Sequence, residues 1–279
     1  MAVVVAFLAG AVLALLLWRM LTDAFAAEVF TRVNFRDRSL PTAVGVVIAL
    51  VVVAGAAVVA VAENAGWDPP GGFVFGLQAT VPVAVGFALL GLLDDLGGVG
   101  QSGGFKAHLR ALAHGRLTTG GAKLFVGAAL GLIAAAPLAD DSLTRLFLDG
   151  ALVALAANLA NLFDRRPGRV VKVSLLAGVL LVLGVGLEPE LGGVALVLGA
   201  GVALLWPDLR EELMLGDAGA NVLGAALGLG AVLTCSSLTN DVILGVLVAL
   251  NLVSEVVSFS KVIDRVPPLR FVDQVGRQP

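Results

Sequence analysis

Nine apolar runs divide the chain, at about 2–21, 42–62, 73–93, 121–138, 145–163, 172–187, 191–206, 218–238 and 241–259. A helix needs roughly 20 apolar residues to cross a hydrocarbon core about 30 Å thick, and fewer where it is short or the bilayer adapts. Inside lipid a backbone N–H or C=O has no water to pair with, so each run is expected to be an α-helix. Composition agrees: 58% of the 279 residues are hydrophobic, 14% are charged and the mean hydropathy is +0.99. A soluble domain carries roughly 25% charged residues. The expected fold is an all-α integral membrane protein of about nine transmembrane helices, forming one polytopic domain over residues 1–279. Abundant glycine and alanine in the runs suit close helix contact.

The basic residues set the expected orientation. No basic stretch precedes the first run and the first positive charge is Arg19, which suits an uncleaved first helix with its N-terminus outside. With that start, seventeen of the eighteen Lys and Arg residues fall on cytosolic segments or their edges, Arg145 being the exception. The expected outer loops carry Glu63, Asp68, Asp140, Asp141, Glu188, Glu190 and Asp241 instead. This is the positive-inside distribution, and it places the C-terminus in the cytosol. The expected inner loops, at 22–41, 94–120, 164–171, 207–217 and 260–279, hold nearly every residue capable of chemistry. The single cysteine, Cys235, excludes an intrachain disulfide and reads as a packing residue; two histidines, His108 and His114, leave little for a His-rich metal site.

Four inner clusters stand out. Asp94 and Asp95 end the third run, where they read either as an interfacial helix end or as the rim of a metal–phosphate site. Lys123 follows Thr118-Thr119-Gly120-Gly121 at the start of the fourth run, a setting in which helix amides and a lysine can meet an anion. Asn161 and Asp164, three apart, share a face at the end of the fifth run. Asn158 lies one turn deeper, and Arg165, Arg166, Arg169 and Lys172 follow as a basic patch that also suits a membrane anchor. Asp217, between Gly216 and Gly219, opens the eighth run, with Asn221 one turn on; the plain reading of Asp217 is a helix N-cap. In the ninth run Asn251, Ser254, Glu255 and Ser258 form a polar stripe, and an ionisable Glu255 in such a helix is expected to face protein or a wet cavity.

The order of these elements resembles the polyprenyl-phosphate N-acetylhexosamine-1-phosphate transferases, which include phospho-N-acetylmuramoyl-pentapeptide transferase (glycosyltransferase family 4 type). NFRDRSLPTAVG (34–45) looks like that family's first cytosolic loop and GLLDDLGG (91–98) its paired aspartates. TTGGAKL (118–124) is similar to its lysine segment, NLANLFD (158–164) to Asn-x-x-Asn-Leu-x-Asp, and MLGDAGA (214–220) to Gly-Asp-x-Gly-Ser. The resemblance runs over about residues 34–224 and marks the chain as a divergent member. Where the family continues with Gly-Leu-Asp-Gly, this chain has Arg165-Arg166-Pro167-Gly168-Arg169. Its segment 259–271 lacks the family's histidine loop, and a tenth helix is absent.

The resemblance implies Mg²⁺-dependent (or Mn²⁺-dependent) transfer of a sugar-1-phosphate from a nucleotide-sugar, of UDP-N-acetylhexosamine type, to polyprenyl phosphate at the cytosolic face. It implies Asp217 as principal metal ligand, with Asp94 and Asp95 positioning metal or taking a proton from the lipid phosphate. Lys123 would pair with pyrophosphate, while Asn161 and Asp164 would hold nucleotide or metal. Thr42, Asn158, Arg165, Arg166, Arg169 and Glu255 fall on the substrate side. It further implies a bacterial inner (plasma) membrane setting, cell-wall or peptidoglycan biogenesis and a homodimer; no nucleic-acid partner is expected. Two other readings stand beside it. One is a non-catalytic relative that binds polyprenyl (pyro)phosphate or regulates envelope glycan synthesis. The other is an ion-coupled transporter, which would place its ionisable groups near the bilayer midplane.

Overall fold

The computed structural model describes residues 1–97 and 119–278. It is almost wholly helical. The long helices are α1 (Ala2–Phe25), α2 (Val46–Asn64), α3 (Gly71–Gly97), α4 (Thr119–Ala135), α5 (Leu143–Phe163), α6 (Arg169–Val185), α7 (Gly192–Leu209), α8 (Gly216–Thr234) and α9 (Ser237–Ser254). Seven of them are long and apolar enough to cross a membrane, while α4 and α6, at 17 residues each, are shorter. The protein is therefore an all-α, multi-pass membrane protein.

The centre of the bundle is α8, packed against α3, α5, α6 and α7. Its sequence, GDAGANVLGAALGLGAVLT, explains why it can occupy that place. Small side chains let neighbouring backbones approach closely, which is the main source of helix affinity where hydrophobic driving force is missing. Val222, Leu223, Ala225, Ala226 and Leu229 are fully buried there. By contrast α1 and α9 present Val4, Leu8, Leu16, Val242 and Leu252 outward, as lipid-facing helices should. α1 is held to α7, and α9 to α5.

Two segments expected as plain loops have structure. Residues between α1 and α2 form a two-stranded antiparallel hairpin, β1 (Thr31–Val33) with β2 (Ser39–Pro41), Arg32 pairing with Leu40. After α9, two short helices follow in place of an inner loop, α10 (Phe259–Arg265) and α11 (Pro267–Gln274). The chain leaving β2 runs beside the segment before α8: Met214 N–H donates to the Pro41 carbonyl at 2.7 Å and Gly45 N–H to Leu215 at 2.9 Å. The hairpin is also tied down through Glu211, a buried carboxylate that accepts from Asn34 Nδ2 at 2.8 Å and pairs with Arg36 at 3.3 Å. These ties place the hairpin at the end of the bundle where α8 begins.

Candidate functional site

The first amides of a helix have no intrahelical acceptor and need one from elsewhere. For α8 that acceptor comes from another helix. Asp95, in the last turn of α3, accepts the Asp217 N–H at 2.9 Å on one oxygen and the Ala218 N–H at 3.1 Å on the other. The sequence suggested Asp217 as the N-cap; in the structure α8 starts one residue earlier, at Gly216, and Asp95 does the capping. Two glycines make the arrangement possible. Gly216 has φ +70°, and a side chain there would run into the Asp95 carboxylate; one on Gly91 would meet the Asp217–Ala218 backbone.

Asp217 thereby stands in the first turn of α8, where the helix dipole favours its negative charge. Its Oδ2 accepts from Asn161 Nδ2, in the last turn of α5, at 3.1 Å. Asp164 is the C-cap residue of α5, its N–H donating to the Asn161 carbonyl at 3.1 Å. Both Asp164 and Asp217 lie within electrostatic reach of Asp95. Three segments far apart in the chain thus meet, with Asp94 half-buried beside Asp95. The donor set is hard oxygen. Magnesium is bound through one or two carboxylates, with phosphate oxygens and water filling its octahedron, and Asp217 with Asp164 nearby fits that chemistry. Among the described residues no group of three or more His, Cys, Asp or Glu is arranged so that it could hold a metal ion.

One turn deeper, Asn158 is committed elsewhere: its Nδ2 donates to Asn251 Oδ1 at 2.7 Å, joining α5 to α9. Asn221, on the same face of α8 as Asp217, is 1% exposed, and its Nδ2 has no hydrogen-bond partner among the described residues. With Asn158 it edges a cavity of about 300 Å³ that is otherwise lined by apolar groups such as Phe87, Leu90, Gly127 and Ala154.

The three arginines separate into two roles. Arg166 lies over the Phe35 ring at 4.2 Å from its centroid. Together with the exposed Arg165 it lines a second cleft, of about 480 Å³. Arg169, expected to face substrate, is instead buried: its Nε and Nη2 donate to the two oxygens of Asp273 in α11 at 2.8 and 3.0 Å. Burial alone would raise the Asp273 carboxyl, but hydrogen bonds from Arg169 and Arg277 outweigh it and hold the group below its usual 3.8. Lys172 caps the same helix, donating to the carbonyls of Val272, Asp273 and Val275. The basic patch therefore serves partly as the dock of the C-terminal helices.

Other expected site residues fall as follows. Thr42 is buried, its N–H donating to Phe30 in the segment that docks beside α8. Glu255, expected to face protein or a wet cavity, is exposed, because α9 ends at Ser254 and the polar stripe does not continue as one helix. Lys123 belongs to the first turns of α4, and its side chain lies outside the described residues. The sequence reading missed Glu211, Asp273 and Asp208, and it named Asn251 only as part of the polar stripe of the ninth run. Asp208 is buried and accepts the Gly168 N–H at 2.7 Å, pinning the α5–α6 junction. No family model matches the chain, and no curated protein matches it.

Proposed function

We propose that the protein transfers a sugar-1-phosphate from a nucleotide-sugar to polyprenyl phosphate at the cytosolic face of a bacterial plasma membrane. The observation that carries this reading is the meeting of Asp95, Asp217 and Asn161 at one end of a membrane bundle, with Arg165 and Arg166 following on the chain just after α5 and lining a cleft. Two anionic reactants must come together there, one from water and one from lipid. In the reaction an oxygen of the lipid phosphate forms a bond to the sugar-proximal phosphorus. The pyrophosphate P–O bond breaks, and the nucleoside monophosphate leaves with its electron pair.

Each side chain has a place in that chemistry. Asp217, with Asp164, would hold Mg²⁺, which when bound neutralises and orients the phosphoryl oxygens. Asn161 fixes the Asp217 carboxylate by donating to one of its oxygens. Asp95 holds the start of α8 rigid and thereby sets where Asp217 points. Asp94 would position metal or take the proton of a protonated lipid phosphate. Lys123, in the first turns of α4, supplies a cation for pyrophosphate.

A second reading is favoured by one feature. Both oxygens of Asp95 are already used by backbone amides, which reduces the carboxylates open to a cation. A protein that binds polyprenyl phosphate or pyrophosphate without turning it over needs the cleft and not the metal. The test supplies purified protein with undecaprenyl phosphate, a panel of UDP-sugars and Mg²⁺, and measures UMP and a lipid-linked product. Turnover that Asp217→Asn abolishes supports the transferase. No turnover across the panel, with polyprenyl phosphate still bound, establishes the binding protein instead.

A further inference from the structure

The cleft of about 480 Å³ is walled by two junctions: Arg165 and Arg166 between α5 and α6, and Ser254, Ser258, Phe259 and Ser260 between α9 and α10. These are the two stretches in which the chain departs from the family it resembles. In space the two departures form one place. Among the described residues no carboxylate lines it, and the side-chain polar groups are two guanidinium ions and three hydroxyls.

The walls are held from outside the cleft. Arg166 stacks on Phe35, and Phe163 and Phe259 stack with ring centroids 5.1 Å apart and planes inclined by 7°. Ser260 Oγ accepts from Arg169 Nη1 at 2.7 Å, which leaves the serine's own proton to donate. Ser258 precedes α10 but makes no side-chain cap hydrogen bond, so its hydroxyl is available as well. Ser254 Oγ donates to the Asn251 carbonyl at 2.6 Å and can accept only.

Two arginine forks and two hydroxyl donors outnumber the two oxygens of a carboxylate. A terminal phosphate presents three oxygens and a second charge, and guanidinium forks pair with it bidentately. The volume lies within the range of small-ligand sites. We propose that this cleft binds a terminal phosphate group, of a phosphate monoester or a pyrophosphate, and that it selects which phosphorylated substrate the protein accepts. The selecting role rests on the proposed function; the affinity for phosphate does not. The phosphate can arrive on a soluble molecule or on a lipid.

The test uses the full-length protein in phosphatidylcholine nanodiscs. In one arm inorganic pyrophosphate is titrated by calorimetry; in the other, nanodiscs containing undecaprenyl pyrophosphate are assayed for bound lipid by native mass spectrometry. Saturable binding is expected in at least one arm, and the arm identifies the source. Arg165→Ala and Ser258→Ala should each weaken it about tenfold, the size of one hydrogen bond to a charged group. Arg165→Lys should lose less, since the charge remains without the fork. Arg270→Ala, at an exposed arginine of α11 outside the cleft, should bind as the unaltered protein does. Absence of saturable binding in both arms overturns the proposal. So does equal affinity in Arg165→Ala, Ser258→Ala and the unaltered protein, or a loss in Arg270→Ala as large as in Arg165→Ala. Arg165-dependent binding without any transferase turnover would instead remove the proposed function and leave the phosphate subsite standing.

Discussion

Arg169 and Asp273 are joined by two hydrogen bonds, 2.8 and 3.0 Å long, across 104 residues of chain. Both are buried, and Arg277 adds a third bond to the same carboxylate. One acidic residue therefore fixes α11 to the start of α6.

This pairing makes C-terminal docking sensitive to acid. Because the folded-state Asp273 is held below its usual 3.8, the stabilisation is fully present above that value and disappears as pH falls through the lowered one. Limited proteolysis of residues 259–278 should show protection at neutral pH that is lost only in strong acid. Asp273→Asn should release the segment at neutral pH, since leaving Arg169 buried and unpaired costs about 3 kcal/mol.

Asp95 separates capping from metal chemistry. Asp95→Ala removes both acceptors at the start of α8 and should lower stability by about 1–2 kcal/mol, seen as a reduced Tm in detergent. Asp95→Asn keeps one acceptor oxygen and should lose about half as much. If turnover follows the same graded order, the residue acts by holding α8. Equal, complete inactivation of both variants with an unchanged Asp95→Asn Tm would show direct participation in the chemistry.

The Asn161 side chain reaches the site through Asp217, so its removal should be felt as loosened cation binding. Groups that orient a metal ligand are worth about 10–100-fold in affinity or activity. Asn161→Ala is expected to raise the Mg²⁺ concentration for half-maximal activity by that factor, and excess Mg²⁺ should recover most of the rate. A rate that no Mg²⁺ concentration restores would assign Asn161 to substrate instead.

At the opposite end of α5, Arg145 pairs with the buried Asp149 and with Asp241 of α9. Arg145→Ala should destabilise by about 3–5 kcal/mol, because Asp149 is left as an uncompensated buried charge. Replacing both, as Arg145→Met with Asp149→Leu, should restore most of it. Thermal unfolding of the two variants in the same detergent measures the difference.

The helices were legible because lipid imposes a single rule on backbone amides, and uninterrupted apolar runs such as 46–62 leave no alternative. The convergence of Asp95, Asp217 and Asn161 was also approached from sequence, since each sits at a run's end on the same expected face. What sequence concealed was partnership. Arg169 stands in a run of cations that reads as a headgroup anchor, and nothing local reveals that its counterion lies in α11. Glu211 looks like one charge among Asp208, Arg210 and Glu212, yet it alone is drawn under the hairpin by Asn34 and Arg36. Glu255 misled for the converse reason: helical spacing was extended across a helix end that apolar Val256 and Val257 disguise.

Asp95 reaches across 122 positions to the amides it caps. At a synthesis rate of about 5–20 residues per second, α3 waits roughly 6–24 seconds for α8 to be made. Throughout that interval this pole of the nascent bundle carries a carboxylate with no helix to cap. Translation must deliver the central column late, and the polar pole closes only when it slides home between neighbours that are already in the membrane.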